Sequence, residues 1–313
     1  MTEKTRIHVL GASGFVGHYL LKLLPSNFEV TVLTRKPDLS FIEHSGIRQR
    51  YCDLLDSKSV SGVLKDCDVL INLVYNRNCS PAENVGMMTA LADECKRSKI
   101  RKIIHMSTAL VMGMHQQVIL DEDVVCNPTG DYEMAKNAIE KIFLSLAKTI
   151  EVVILRPTVI FGTGGINLSD FIKTLVRENK LKGTLRASIV GNAPMNLVPV
   201  ETVASSIMFF VDGTSLSTGI FLVSQDADLS NNLAAVDDIV SRRLNIRRYF
   251  RIKLPHGFIR TSLLRLLNIE LDKRPVYSSA KLVAVGFTDF HDLSKSISDY
   301  CLDSMHELKS GTI

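Results

Sequence analysis

The sequence predicts an α/β fold built on a doubly wound parallel sheet, and three observations carry that prediction. The chain opens on an apolar run, Ile7 to Leu10, that passes through Gly11-Ala12-Ser13-Gly14-Phe15-Val16-Gly17 into a helical stretch stopped by Pro25, and then into a second strand-like run at 29–33. This completes a βαβ unit. Strand-like and helix-like segments keep alternating beyond it, the order of a doubly wound sheet. The run Val69-Leu70-Ile71-Asn72-Leu73-Val74 shows no polar alternation, as expected of a strand covered on both faces.

The first turn reads as a phosphate cradle. Gly11 can take backbone angles closed to other residues, Gly14 lets a ligand come close, and Gly17 lets the helix pack on the sheet. The helix behind them points its free amides and dipole at the same spot, which favours an anion. Three glycines in seven residues also occur in purely structural turns. The preceding strand, the following helix and the second strand favour a dinucleotide.

After the second strand comes Thr34-Arg35-Lys36-Pro37, where the ribose of a bound dinucleotide lies and where NAD-specific sites place an acid. Two cations stand there instead. They suit a 2′-phosphate, so NADP is favoured and NAD remains possible; the plainer reading is a solvated basic turn. A third strand near 47–54 ends at Asp53, either an acceptor for the adenine amino group or a helix cap.

The pattern then predicts a helix over 57–65, a fourth strand over 68–74, a helix over 81–98 and a fifth strand over 101–108 ending in Ser107 and Thr108. Ligands of such sheets sit beyond the carboxyl ends of the strands, so these hydroxyls are placed for chemistry. A helix beginning at Asp131 carries Tyr132 and Lys136 four residues apart. That spacing puts both on one face, where an ammonium can favour a phenolate and also reach the cofactor ribose. Alone, the pair would be a solvated helix face. Joined to the glycines and to Ser107-Thr108, it is a candidate catalytic pair.

Composition narrows the function. With 313 residues, 46% hydrophobic and 22% charged, the chain can bury a large core in one domain or two unequal lobes. The net charge of +4 is scattered, which does not indicate a nucleic-acid partner. Six cysteines lack any Cys-x-x-Cys spacing, so neither a metal site nor a disulfide scaffold is expected. The first strand starts by about residue 6, and no apolar run approaches the ~20 residues a membrane span needs. A cytoplasmic chain without a membrane span is the expectation.

With these residues in hand, the sequence resembles the extended short-chain dehydrogenase/reductase family, also called the NAD-dependent epimerase/dehydratase family. The motifs Gly11 to Gly17, Cys52-Asp53-Leu54, Asn84-Val85, Met106 to Gly113, Tyr132-Glu133-Met134-Ala135-Lys136 and Leu155-Arg156-Pro157 follow its order and approximate spacing. Segments at 197–204 and 282–287 extend the likeness over nearly the whole chain. The resemblance implies a Rossmann-type fold in which Thr108, Tyr132 and Lys136 are catalytic, Thr108 replacing the more frequent Ser. For the cofactor it implies Gly11, Ser13, Gly14, Phe15, Val16, Gly17, Arg35, Lys36, Asp53, Leu54, Leu73, Tyr132, Lys136, Arg156 and Pro157. Met112, the Asn72 to Tyr75 segment and Pro199 depart from the pattern and bear on substrate identity.

Residues 1–164 are expected to form the cofactor domain, with returning segments near 196–225, and 165–195 with 226–313 to form mainly the substrate lobe. A narrower likeness, at 221–230 and 253–255, is to enzymes that reduce or epimerise nucleotide-linked 4-keto and N-acetyl hexoses. The expected activity is therefore NADP-dependent reduction of a 4-keto nucleotide sugar, with an NAD-dependent 4-epimerase as the alternative and a non-catalytic NADP-binding regulator as the rival of another class. A homodimer is compatible with this reading. The arginines at 242, 243, 247, 248 and 251 could meet a substrate diphosphate, or form a solvated helix face. The apolar segment 258–267 reads as lobe core before it reads as a membrane-surface or partner helix.

Overall fold

Seven parallel strands form the centre of the molecule, ordered along the sheet as 219–223, 151–157, 102–106, 69–72, 6–10, 29–34 and 48–51. The computed structural model describes residues 4–35, 46–115, 117–212, 218–249 and 274–310. Strands β1 (Arg6–Leu10), β2 (Glu29–Thr34) and β3 (Arg48–Tyr51) run to one edge; β4 (Val69–Asn72), β5 (Lys102–Met106), β7 (Glu151–Pro157) and β10 (Gly219–Val223) run to the other. The order therefore reverses between β1 and β4, whose register pairs Leu10 with Asn72. A crevice opens at such a switch point beyond the strand ends.

Alternation along the buried strands sends side chains to two cores. On one face Ile7, Val9, Val69, Ile71 and Val153 meet α1 (Phe15–Leu23) and α7 (Val200–Asp212) through Val16, Leu20, Val203 and Ile207. On the other, Leu10, Leu70, Ile103 and Ile154 meet α3 (Pro81–Ser98) and α4 (Asp131–Leu144) through Met88, Leu91, Ile139 and Phe143. Both faces are covered, which is why these strands read as near-continuous apolar runs.

Helix boundaries follow local chemistry. Ser80 and Glu83 form a reciprocal capping box with Pro81 at the first turn of α3. The helix predicted over 57–65 is only one turn, α2 (Ser57–Val60), because Gly62 and Asp66 take left-handed backbone angles. Asp56 caps α2, not Asp53. Beyond the sheet, α5 (Ser169–Arg177), α8 (Leu233–Arg243) and the helix Leu293–Ser310 share a core of Leu168, Ile172, Leu175, Val236, Val240 and Ile297, with α6 (Lys180–Val190) packed on α8. The 258–267 segment lies outside the described residues.

Candidate active site

A cleft of about 1010 Å³ lies at the switch point, lined from β1 by Gly11 to Gly14, from β2 by Thr34 and Arg35, from β3 by Asp53 and Leu54, and from β4 by Leu73 to Arg77. Gly11 has φ +84°, and a β-carbon there would press on the backbone of Leu73 at 3.1 Å. Gly14 caps α1 in extended geometry and would meet only the Gly11 carbonyl oxygen, at 3.2 Å, leaving its other side open. An open glycine face at a helix N-terminus is what a pyrophosphate needs, so the residues fit a dinucleotide.

Of the predicted cofactor residues, Gly11, Ser13, Gly14, Arg35, Asp53, Leu54 and Leu73 line this cleft. Asp53 accepts from the Leu55 amide at 3.1 Å, closing its turn. Others stand elsewhere. Val16 is buried beneath the cradle, Gly17 packs on Gly11 and Ala12, and Phe15 turns away towards Gly162 and Gly165. Lys36 lies outside the described residues. Arg156 does not reach the cleft; it is buried, with Nε and Nη2 donating to Glu140 at 3.0 and 2.6 Å and Nη2 also to Cys126 Sγ at 3.0 Å. Pro157 ends β7 in the sheet.

The catalytic candidates converge from two elements. Thr108 follows β5, and its Oγ1 accepts from the Leu110 amide at 3.3 Å. The Thr108 side chain lowers the proton affinity of the Tyr132 phenol. Tyr132 sits in the first turn of α4, where Glu133 accepts from the amides of Thr129 and Gly130 at 3.0 and 3.1 Å and so fixes the helix start. Lys136 is buried, and its Nζ donates to the Met106 carbonyl at 2.8 Å. Burial lowers its pKa to about 8 against the opposing pull of Glu140. Beside it His105 is held neutral by burial and by Lys136.

Burial raises the pKa of Tyr132, and the Arg77 cation opposes this. Tyr75, from the departing 72–75 segment, lines the cleft, and sequence reasoning missed its neighbours Asn76 and Arg77. The signal was present, since they follow a strand end at the switch point.

The other departures lie away from the cleft. Met112 is fully buried in a small core with Leu120, Leu222 and Tyr277, and Pro199 is buried in β9 (Leu197–Pro199). Asn72 is buried too, donating to Met88 Sδ and meeting His105 Nδ1, both at 3.1 Å. Two members of the arginine cluster turn to protein groups. Arg248 pairs with buried Asp237 at 3.2 Å, Arg242 turns back to the Asp238 carbonyl at 3.2 Å, and Arg251 lies outside the described residues. The six cysteines are free thiols. Among the described residues no cluster could hold a metal, and no helix is long and apolar enough to cross a membrane.

A doubly wound sheet with a glycine cradle at its switch point, and a hydroxyl, a phenol and an amine gathered beside it, defines a Rossmann-type dinucleotide-binding protein. The NAD dependent epimerase/dehydratase family model matches residues 7–215, and the chain belongs to that family of enzymes. It is 26% identical over 220 residues to sterol demethylase protein B of Methylococcus capsulatus, a match covering 65% of each chain and so just under two thirds of that relative. It is 27% identical to UDP-glucose 4-epimerase of Vibrio cholerae over 72% of each chain. Dihydroflavonol 4-reductase of Zea mays is 25% identical over 92% of this chain and 84% of its own. The fold matches UDP-glucuronic acid 4-epimerase from Bacillus cereus in complex with NAD with a TM-score of 0.73, at 18% identity, over 97% of this chain and 98% of that one.

Proposed function

We propose that this chain is an NADP-dependent oxidoreductase that reduces a 4-keto nucleotide sugar. The observation that carries the reading is the end of β2, where Thr34 and Arg35 face the cleft in the place that an NAD-specific site gives to an acid. A site suited to a 2′-phosphate goes with a net reduction, since reductases draw on NADPH. Gly11 to Gly14 would hold the pyrophosphate, Asp53 and Leu54 the adenine side, Arg35 the ribose phosphate and Lys136 the other ribose.

When bound, the dinucleotide supplies hydride to the carbonyl carbon of the substrate. Thr108 would donate its hydroxyl hydrogen to the carbonyl oxygen and fix its position. Tyr132 would pass its phenolic proton to that oxygen as negative charge builds there, completing the alcohol. Raising the proton affinity of Tyr132 by burial keeps it protonated before the reaction, as a general acid requires. The lobe of residues 165–195 and 226–313 would hold the nucleotide sugar.

An NAD-dependent 4-epimerase is the second reading, favoured by the UDP-glucose 4-epimerase likeness. A regulator that only binds NADP is opposed by the joint presence of Thr108, Tyr132 and Lys136. The test is NADPH consumption with UDP- and dTDP-linked 4-keto sugars, with a dihydroflavonol beside them. Consumption with a nucleotide sugar supports the proposal. Interconversion of sugar epimers without consumption replaces it with the epimerase, and consumption with the dihydroflavonol alone overturns the substrate class.

A further inference from the structure

We infer that Cys126 is a site of oxidation by peroxide, and that the guanidinium of Arg156 holds the sulfenic acid formed there. The chain has six free thiols, and burial separates them. Cys52, Cys67, Cys95 and Cys301 lie in the core, where burial pushes the thiol pKa up, to about 11 for Cys52 and about 12 for Cys67 and Cys301. A buried, protonated thiol is a poor nucleophile. Cys79 and Cys126 are partly exposed.

Cys126 differs from Cys79 in what stands beside it. Its segment is held in place, since the Asn127 amide donates to the Met112 carbonyl at 3.0 Å and Cys126 itself packs on the small core of Met112, Leu120 and Leu222. The sulfur accepts from Arg156 Nη2 at 3.0 Å. Among the described residues the Cys79 thiol has no such donor.

Arg156 is built to hold more than a sulfur. It is 2% exposed, and Glu140 takes hydrogens of Nε and Nη2 along one edge of the guanidinium, at 3.0 and 2.6 Å. The group is planar and its five N–H donors form a fixed fork. With one edge given to Glu140, the remaining hydrogen of Nη2 and one hydrogen of Nη1 point the same way out of the adjacent edge, and the first of them meets the Cys126 sulfur. Nη1 is buried, and among the described residues nothing accepts from it. A buried donor without an acceptor is costly, and an oxygen on the sulfur supplies the missing acceptor.

In the reaction the sulfur attacks one oxygen of hydrogen peroxide. The S–O bond forms, the O–O bond breaks, and the departing hydroxide takes the thiol proton and leaves as water. Sulfur is oxidised and the peroxide reduced, which gives the sulfenic acid. Its oxygen accepts from Nη1 and Nη2 together while Glu140 keeps the other edge, so the buried ion pair survives the change.

Reduced full-length protein is treated with hydrogen peroxide and dimedone, and peptide mass spectrometry follows the adduct at each cysteine. Cys126 is expected to label at least about tenfold faster than Cys79, as suits a partly exposed thiol beside a cation. That lead should fall away in Arg156→Lys, which keeps a cation for Glu140 but has no second nitrogen for the oxygen; thermal unfolding checks that the variant is folded. A second measurement needs no change at Arg156. Peroxide-treated parent should unfold at no lower temperature than the reduced protein, with Cys126→Ser treated alike as the reference for oxidation elsewhere. Equal labelling of Cys79 and Cys126 in the parent overturns the inference, as does a disulfide formed from Cys126 in place of the adduct. An undiminished lead in folded Arg156→Lys, or a midpoint that drops on oxidation in the parent but not in Cys126→Ser, overturns the role given to Arg156.

Discussion

The α-carbon of Gly17 stands against the carbonyl oxygen of Gly11, so closely that a β-carbon at residue 17 would overlap that oxygen and the Ala12 backbone. Gly14 has the same neighbour at 3.2 Å but opens towards the cleft on its other side. The two glycines should therefore separate folding from binding. Gly17→Ala is expected to lower stability by about 1–3 kcal/mol, the scale of an overpacked contact. Gly14→Val should stay within about 1 kcal/mol of the parent yet lose the dinucleotide, because its branches fill the pyrophosphate space. Thermal unfolding and NADPH fluorescence titration check the pair, and a Gly14→Val protein that binds NADPH normally places the cradle elsewhere.

Cofactor choice should follow Arg35. Replacing it in Arg35→Asp removes a charge-assisted contact to the 2′-phosphate and adds repulsion, while an acid at that place suits the free ribose hydroxyls of NADH. The ratio of NADPH to NADH affinity is expected to fall by at least about tenfold, the effect of roughly 1.4 kcal/mol. Equal affinities before and after the change would reduce Arg35 to a solvated surface cation.

Much of this was legible in the sequence because the local signals and the tertiary demands agree. The doubly covered strands show as apolar runs, α3 begins at the Ser80-Pro81-x-Glu83 signature, and the glycine spacing marks the turn at the switch point. What escaped depends on direction rather than pattern. Nothing in the spacing of Tyr132 and Lys136 reveals that Tyr75, from a loop more than fifty residues away, meets both side chains. Likewise Arg156 resembled a cofactor contact by motif, but its guanidinium faces Glu140 on α4. The 57–65 helix failed at Gly62, whose left-handed backbone ends the turn.

The Arg156 placement has its own consequence. Both members of the pair are buried, so removing one leaves an uncompensated charge. Glu140→Ala is expected to cost about 3–5 kcal/mol of stability, as for other broken buried pairs. Chemical denaturation measures it. A loss below about 1 kcal/mol, the level of a surface pair, would contradict the buried position.

Acid should destabilise the protein through His8. Burial lowers its pKa to about 4 from the ordinary 6.5, with Arg50 reinforcing the effect. Between those values the unfolded chain binds the proton and the folded chain does not, so stability rises with pH across the window and is lost as pH falls from above 6.5 towards 4. The shift corresponds to about 3 kcal/mol at most. Buried His105, also pushed downward, adds in the same direction. Unfolding free energies between neutral and mildly acid pH should flatten in His8→Gln, and an unchanged slope in that variant would assign the acid sensitivity to other groups.

Tyr132 and Lys136 should part company when each is replaced. Tyr132→Phe removes only the phenolic oxygen, leaving the ring contact with Tyr75 in place, so folding and dinucleotide affinity should barely change. Turnover should fall by roughly 10²–10⁴, the usual worth of a positioned acid. Lys136→Met is different because the ammonium is expected to hold the ribose, so dinucleotide binding should weaken together with turnover. In the parent, that binding should also weaken as pH rises through about 8, where Lys136 gives up its proton, and the dependence should vanish in Lys136→Met. Titrations of NADPH across this range, set beside NADPH consumption with whichever ketone is accepted, read both effects. Parent-like turnover in Tyr132→Phe removes Tyr132 from proton transfer, and unaltered NADPH affinity in Lys136→Met removes the lysine from the ribose.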